Sequence, residues 1–167
     1  MLFIERAHHH ADPWSGNLGF PGGKVEEFDG EVRRTAERET LEEIGLDLGR
    51  ARCLGRLSDI AGAHLPVRIS CFVYGIEGPI TFRAGDEVRN FFWIPFDHLL
   101  DPERHLTARV RFSGRALASP AIRILESGCT PLWGITYRLV MQFLGVLGCS
   151  PSPTTVPGDF LPGNSEK

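Results

Sequence analysis

Three glutamates near the end of one continuous segment are the residues of this sequence best placed to do chemistry. Glu39, Glu42 and Glu43 are spaced at i, i+3 and i+4, which brings their carboxylates to one side of a helix. Like charges at that spacing repel, and none of the three has a lysine four residues further on. A hard divalent cation, Mg²⁺ or Mn²⁺, relieves this conflict because it prefers carboxylate oxygens and keeps positions for water and phosphate.

The same acids also have a simpler interpretation as a solvated acidic face. Residues 26–43 hold eight acidic and three basic residues, a local charge of −5, and the rest of the chain carries +2. In this second interpretation Arg33, Arg34 and Arg38 pair loosely with the glutamates. Charge runs usually lie on surfaces, so the three glutamates alone leave both interpretations open.

The neighbouring residues predict the elements that hold the glutamates. Residues 31–44 contain no glycine or proline, and Val32, Ala36 and Thr40 recur every four residues, which predicts a helix that ends near Gly45. Strands are predicted over 2–6, 52–60, 67–76, 87–95 and 107–112. A short helix or loop is expected over 97–104, and a core helix over 134–147. The pattern indicates an α/β fold.

The order of residues around the glutamates resembles the Nudix box of the pyrophosphohydrolases, usually written G-x5-E-x7-R-E-U-x-E-E-x-G-U with U apolar. The stretch 38–46, RETLEEIGL, fits each defined position, with Thr40 in place of an apolar residue. Two departures lie upstream: Asp29 stands where the first Glu is usual, and eight residues separate it from Arg38 instead of seven.

The longer spacer is similar to that of the coenzyme A pyrophosphatase branch of this family. Residues 20–23 read FPGG before the x5-D spacing, and residues 131–138 resemble an LWG-T-Y run of the same branch. The resemblance implies a Nudix-type α/β/α sandwich with a mixed β-sheet over residues 1–148, followed by a flexible tail over 149–167. The usual fold has a strand before residues 2–6, which is expected to be absent here, and an unpaired sheet edge would favour a homodimer.

The resemblance also implies an activity and a set of site residues. The activity is hydrolysis of a pyrophosphate bond in a nucleoside diphosphate linked to another group, with coenzyme A or a derivative as the favoured substrate. The implied catalytic residues are Arg38, Glu39, Glu42, Glu43 and Glu87. The implied ligands of Mg²⁺ or Mn²⁺ are Glu39, Glu42, Glu43 and the carbonyl of Gly22, and the implied substrate contacts are Arg6, Phe20, Gly22 and Gly23.

Other residues have two interpretations each. Asp59 is a weaker candidate than Glu87 for an additional carboxylate. The segment 104–125 holds five arginines and no acid, and these arginines either bind a substrate phosphate or line a solvated surface. Phe92 and Trp93 either stack on an adenine or pack in the core. His8, His9 and His10 are interpreted as a solvated loop, because consecutive residues of an extended chain point to opposite sides.

Composition bounds the remaining classes. A net charge of −3 argues against a dedicated nucleic-acid binder. Four cysteines at least 18 residues apart form no zinc or disulfide motif, and neither a leader nor an 18-residue apolar run occurs, which together favour the cytoplasm and no membrane span. ADP-ribose, dinucleotides and oxidised nucleoside triphosphates remain alternative substrates. A non-catalytic nucleotide-binding module is the alternative from another class.

Overall fold

The computed structural model describes residues 1–10, 14–62, 66–112, 114–126, 129–149 and 151. Within these ranges the strands are β1 (Leu2–Arg6), β2 (Leu18–Gly19), β3 (Arg52–Arg56), β4 (Ile60–Ala61), β5 (Arg68–Ile69), β6 (Phe72–Gly75), β7 (Val88–Trp93), β8 (His105–Phe112), β9 (Arg115–Ile122) and β10 (Leu132–Trp133). The helices are α1 (Val32–Ile44), α2 (Phe96–Leu100) and α3 (Gly134–Val146). The α/β class predicted from the sequence is confirmed.

The described strands form four small sheets with antiparallel pairs. Their orders are β2-β1-β7, β10-β9-β8, β3-β6 and β4-β5. The expected mixed sheet is not seen among these strands. The reason is topological: parallel neighbours need a crossover such as a helix, whereas α1 joins β2 to β3, which belong to different sheets.

Strand β1 lies in the middle of its sheet and carries part of the core. Phe3 stands opposite Phe92 of β7, and Ile4 stands opposite Phe91 on one side and Gly19 on the other. Because β1 has a partner strand on both sides, the open edge expected at this strand is not present. The homodimer that such an edge would favour remains a prediction.

Helix α1 has the bounds that its sequence pattern predicted. Gly45 adopts a left-handed conformation with φ of 71° directly after it, and its N–H donates to the carbonyl of Leu41. A positive φ costs glycine little, so this residue ends the helix. On the inner face Thr35, Thr40 and Ile44 are buried, and this packing fixes the direction in which the acidic face points.

Helix α3 closes the largest part of the core, as its apolar spacing predicted. Its buried residues Leu139, Val140 and Leu144 pack with other apolar groups, and Val140 and Leu144 share a cluster with Phe3 of β1. Because that cluster includes β1, α3 supports the sheet from which the site is built.

Three predictions about strands need correction. The segments 52–60 and 67–76 are each broken into two short strands, and Asp59 lies in the first break, where its carboxylate accepts hydrogen bonds from Arg56 and Ser70. Strand β9 was not predicted; it includes Pro120, a residue that is unfavourable inside a sheet. Proline is tolerated there because β10 pairs with β9 only at Ala121 and Ile122, so the position is not inside a three-strand ladder.

The predicted tail falls almost wholly outside the described residues, which include only 149 and 151 of it. The boundary at residue 148 therefore stays a prediction. Within the described part of the chain, no helix has the length and apolar character needed to cross a membrane.

Candidate active site

The centre of the site is the buried carboxylate of Glu43. The FPGG loop runs beside α1, and the N–H of Gly22 donates to Oε2 of Glu43 at 3.0 Å. Glu43 is only 5% exposed, although a charged carboxylate is costly to bury unless it is paired. The loop and the helix thus converge on this one side chain.

The pKa of Glu43 responds to several charged residues of the site. Burial raises the pKa of Glu43 from 4.5 to about 7, with a smaller contribution in the same direction from the negative charges of Glu39 and Glu87. The Gly22 N–H and the positive charge of Arg6 act in the opposite direction on this pKa. Arg6, Glu39 and Glu87, which sequence reasoning selected from three separate segments, therefore all act electrostatically on Glu43.

Each glycine of the FPGG loop suits its position for a different structural reason. Gly22 adopts a φ of 152°, which side chains rarely allow. At Gly23 an added Cβ would collide with the carboxylate of Glu39. The loop backbone at Gly23 therefore lies directly against the Glu39 carboxylate, which would have to move to accept a side chain there.

Arg38 joins three carboxylates. Its Nη1 donates to Oε2 of Glu42 at 2.9 Å and lies 3.0 Å from Oε1 of Glu39. On its other edge, Nε and Nη2 donate to the two carboxylate oxygens of Asp29 at 2.9 Å and 3.1 Å. The two-point pairing with Asp29 fixes the direction of the guanidinium, so Arg38 orients Glu39 and Glu42.

Asp29, the departure from the usual box, is the fixed end of this network. Its side chain is 2% exposed, and it also accepts hydrogen bonds from the hydroxyl of Thr35 and the backbone N–H of Glu26. The hydrogen bond from Arg38, followed by that from Glu26, holds the pKa of Asp29 well below its usual range. An aspartate with the longer spacer therefore reaches Arg38 as a bidentate partner.

The carboxylate donors have the chemistry that Mg²⁺ or Mn²⁺ prefers, but the described side chains do not form a complete set of metal ligands. Among the described residues, no group of three or more His, Cys, Asp or Glu side chains is arranged to hold a metal ion. Glu42, 58% exposed, turns toward Arg38 instead. The fit lies in the charges: Glu39 and Glu87 both repel the buried Glu43, and a hard cation would relieve that repulsion.

Three other candidate groups are placed differently from the site. Phe20 stacks on Phe3 with ring centroids 5.1 Å apart and packs against two core clusters, so its contact with substrate stays a prediction. Phe92 is half-buried against the core, and Trp93 is 51% exposed beside Phe82. The carboxylate of Asp59 accepts hydrogen bonds from Arg56 and Ser70.

The acid-free arginine segment forms the β8–β9 hairpin. Arg109 and Arg111 lie on its exposed face, opposite Ala118 and Ala116 in the strand register. The histidines at 8–10 are exposed and follow the end of β1, as the solvated-loop interpretation expected. Neither group contributes to the set around Glu43.

Two contributions escaped sequence reasoning. Asp29 and its donor Thr35 were not selected as site residues, although the position of Asp29 in the box was a usable signal. The second is the 83–87 segment, where the N–H groups of Arg83 and Gly85 donate to carbonyls at the end of α1. A glycine in a loop gave no sequence signal for that contact.

Comparisons with known proteins identify the family of the chain. The sequence profile of the NUDIX domain family matches residues 1–113, more than half of the chain. The chain belongs to the NUDIX domain family.

Its relatives include enzymes of stated substrate. The chain is 32% identical over 135 residues to an uncharacterized protein of Schizosaccharomyces pombe, covering 76% of the chain and 41% of that protein. It is 38% identical over 95 residues to a peroxisomal coenzyme A diphosphatase of Caenorhabditis elegans, covering 55% and 40%. A mitochondrial coenzyme A diphosphatase of Homo sapiens is 30% identical over 164 residues, covering 97% and 65%. The chain thus spans about two fifths of the first two relatives.

The raised pKa of Glu43 predicts a pH-dependent stability of the metal-free protein. The pKa of Glu43 is higher in the folded state than in the unfolded state. The contribution of Glu43 to the free energy of unfolding is therefore fully present below about pH 4.5 and is lost as the pH rises through about 7. Glu43→Gln removes this titration and keeps an acceptor for the Gly22 N–H. Between pH 5 and pH 8 the stability of the variant relative to wild type should therefore rise by about 2–3 kcal/mol.

Denaturant unfolding in EDTA at several pH values measures this difference. Saturating Mg²⁺ should reduce or reverse it at pH 8, because the cation stabilises the ionised carboxylate only in the wild type. A difference that does not change with pH would show that Glu43 carries no penalty for ionisation.

Proposed function

We propose that this protein hydrolyses a pyrophosphate bond in a nucleoside diphosphate linked to another group, in a reaction that depends on Mg²⁺ or Mn²⁺. The observation that carries the proposal is the buried Glu43, with Glu39 and Glu87 close enough to raise its pKa and Arg6 opposing them. A structural helix has no need for this concentration of negative charge. A cation bound to a polyphosphate substrate does require it.

The residues have distinct roles in this proposal. Glu39, Glu42, Glu43 and the carbonyl of Gly22 would hold the cation, and a bound divalent cation supplies charge neutralisation and a more acidic water. Arg38 orients Glu39 and Glu42. A carboxylate oxygen of Glu39 or Glu87 accepts the proton of the attacking water, and both remain candidates for this general base.

Coenzyme A or a derivative is the favoured substrate. Two relatives are described as coenzyme A diphosphatases, and the FPGG-x5-D and LWG-T-Y segments resemble that branch. Exposed arginines of the β8–β9 hairpin, Arg109 and Arg111, offer donors for an additional phosphate group. Because the loops outside the box set the substrate, ADP-ribose, dinucleotides and oxidised nucleoside triphosphates remain alternatives.

A nucleotide-binding module without catalysis is the second candidate. One observation favours it: Arg38 pairs with both Glu39 and Glu42, which keeps two of the implied ligands occupied.

The location of the protein in the cell is also a proposal. The four cysteines are free, as in a reducing compartment, whereas the two coenzyme A diphosphatases are described as peroxisomal and mitochondrial.

A substrate panel tests the proposal. Coenzyme A, ADP-ribose, NADH, diadenosine polyphosphate and oxidised dGTP are each incubated with Mg²⁺ or Mn²⁺, and products are resolved by mass spectrometry. We expect coenzyme A to give 3′,5′-ADP and phosphopantetheine. Turnover of a different substrate would keep the reaction and reject the branch, and a folded protein that cleaves none of them would favour the binding module.

A further inference from the structure

The segment of residues 83–87 is fastened to the C-terminal end of α1. The N–H of Arg83 donates to the carbonyl of Ile44 at 3.0 Å, and the N–H of Gly85 donates to the carbonyl of Glu43 at 2.8 Å. The last carbonyls of a helix have no partner inside the helix. The 83–87 segment therefore provides partners for two of them, one of which belongs to the central carboxylate residue of the site.

The contact is too close for a side chain at Gly85. A Cβ there would lie 2.7 Å from the carbonyl oxygen of Glu42 and 3.4 Å from that of Glu43. Both obstacles are helix backbone, which cannot rotate away as a flexible side chain would. On the other side of the contact, a Cβ at Gly45 would lie 3.4 Å from the backbone nitrogen of Arg83. That distance is an ordinary van der Waals contact, so the close approach depends on the glycine at residue 85.

The same segment ends at Glu87, and its far end is also held. The carbonyl of Glu87 accepts a hydrogen bond from the N–H of Ala7 at 2.8 Å, just beyond the end of β1. At the start of β7, the N–H of Val88 donates to the carbonyl of Gly85 at 3.2 Å. The backbone of Glu87 is therefore fixed both to α1 through Gly85 and to the chain that follows β1.

We propose that Gly85 is a positioning residue for the metal site. Its contact with α1 sets the separation between the backbone of Glu42 and Glu43 and that of Glu87, so that the charge of Glu87 lies beside the cation that the helix carboxylates hold. This inference rests on the proposed function in one respect only, the binding of a divalent cation by these carboxylates. Gly85 acts through the glutamates and touches neither cation nor substrate.

The test compares Gly85→Ala with Gly145→Ala in the full chain. Gly145 is an exposed glycine of α3 where an added Cβ meets nothing within 4 Å, so it controls for the chemical change. Mn²⁺ affinity is measured without substrate by electron paramagnetic resonance of the free ion. Gly85→Ala should bind Mn²⁺ at least about 10-fold more weakly, the usual effect of losing support around a metal site, whereas Gly145→Ala should match wild type.

A double-mutant cycle separates positioning from a general loss of structure. If Gly85 acts through Glu87, adding Gly85→Ala to Glu87→Gln should weaken Mn²⁺ binding by much less than it does in the wild-type background. Additive effects would overturn the inference, as would Gly85→Ala with wild-type Mn²⁺ affinity.

Three further outcomes are distinguishable. If Gly85→Ala does not fold, amide hydrogen exchange of Arg83 and Gly85 in wild type decides: Mn²⁺ should slow it, and unchanged exchange overturns the inference. A wild type that binds no Mn²⁺ overturns both this inference and the proposed function. A wild type that binds Mn²⁺ but cleaves no substrate in the panel contradicts only the proposed function.

Discussion

Replacing Glu42 by glutamine is expected to lower kcat roughly 10²–10³-fold, the usual loss when one group that stabilises the transition-state charge is removed. Glu42 is 58% exposed, and its carboxylate forms an ion pair with Arg38. The amide keeps the size of the side chain and one acceptor oxygen but loses the charge that a hard cation requires. Steady-state kinetics on the best substrate of the panel, at several Mg²⁺ concentrations, measures the loss.

Glu27→Gln is the matched control for this variant. Glu27 is also exposed and belongs to the same acidic segment, but it lies in a short 3-10 helix, Glu27–Asp29, before α1. Both variants change the net charge equally, so an effect of the overall field would appear in both. Melting temperatures near that of wild type would show that folding is intact. Wild-type turnover by Glu42→Gln would remove Glu42 from the site and favour the solvated-face interpretation.

The sequence was sufficient to predict the part of the site that is local in the chain. Periodicity and the glycine at residue 45 predicted α1, and the i, i+3, i+4 spacing placed Glu39, Glu42 and Glu43 on neighbouring positions of it. These features depend on backbone geometry over one or two helical turns. Glu87 was chosen from the order of segments, and its negative charge contributes to the raised pKa of Glu43.

The parts that were missed depend on contacts between distant segments. Glu43 accepts a hydrogen bond from Gly22 of the FPGG loop, and Gly85, two residues before Glu87, lies against the carbonyl of Glu42. No local pattern records that a loop glycine, 43 residues after Glu42, will meet this helix. Strand β9 was missed as well, although it is eight residues long and includes Pro120, a residue that is unfavourable inside a sheet.

Arg38→Lys is expected to weaken Mn²⁺ binding and lower kcat, each by roughly 10–100-fold, as is typical when the groups that orient metal ligands are lost. The guanidinium of Arg38 reaches Asp29 with two nitrogens and Glu39 and Glu42 with a third. A lysine ammonium is one compact charge and cannot keep this planar arrangement. Arg33→Lys is the control, because Arg33 makes a single 3.5 Å ion pair with Glu37 on the same helix.

Asp29→Asn distinguishes orientation by Arg38 from simple neutralisation of the glutamates. If Asp29 fixes the guanidinium so that Glu39 and Glu42 point correctly, Asp29→Asn should reproduce much of the loss, and the double variant should be little worse than Arg38→Lys alone. If Arg38 serves only as a counterion that the metal displaces, Arg38→Lys should bind Mn²⁺ as tightly as wild type or more tightly. That result would mean that Arg38 competes with the cation for Glu42 rather than preparing Glu42 to bind it.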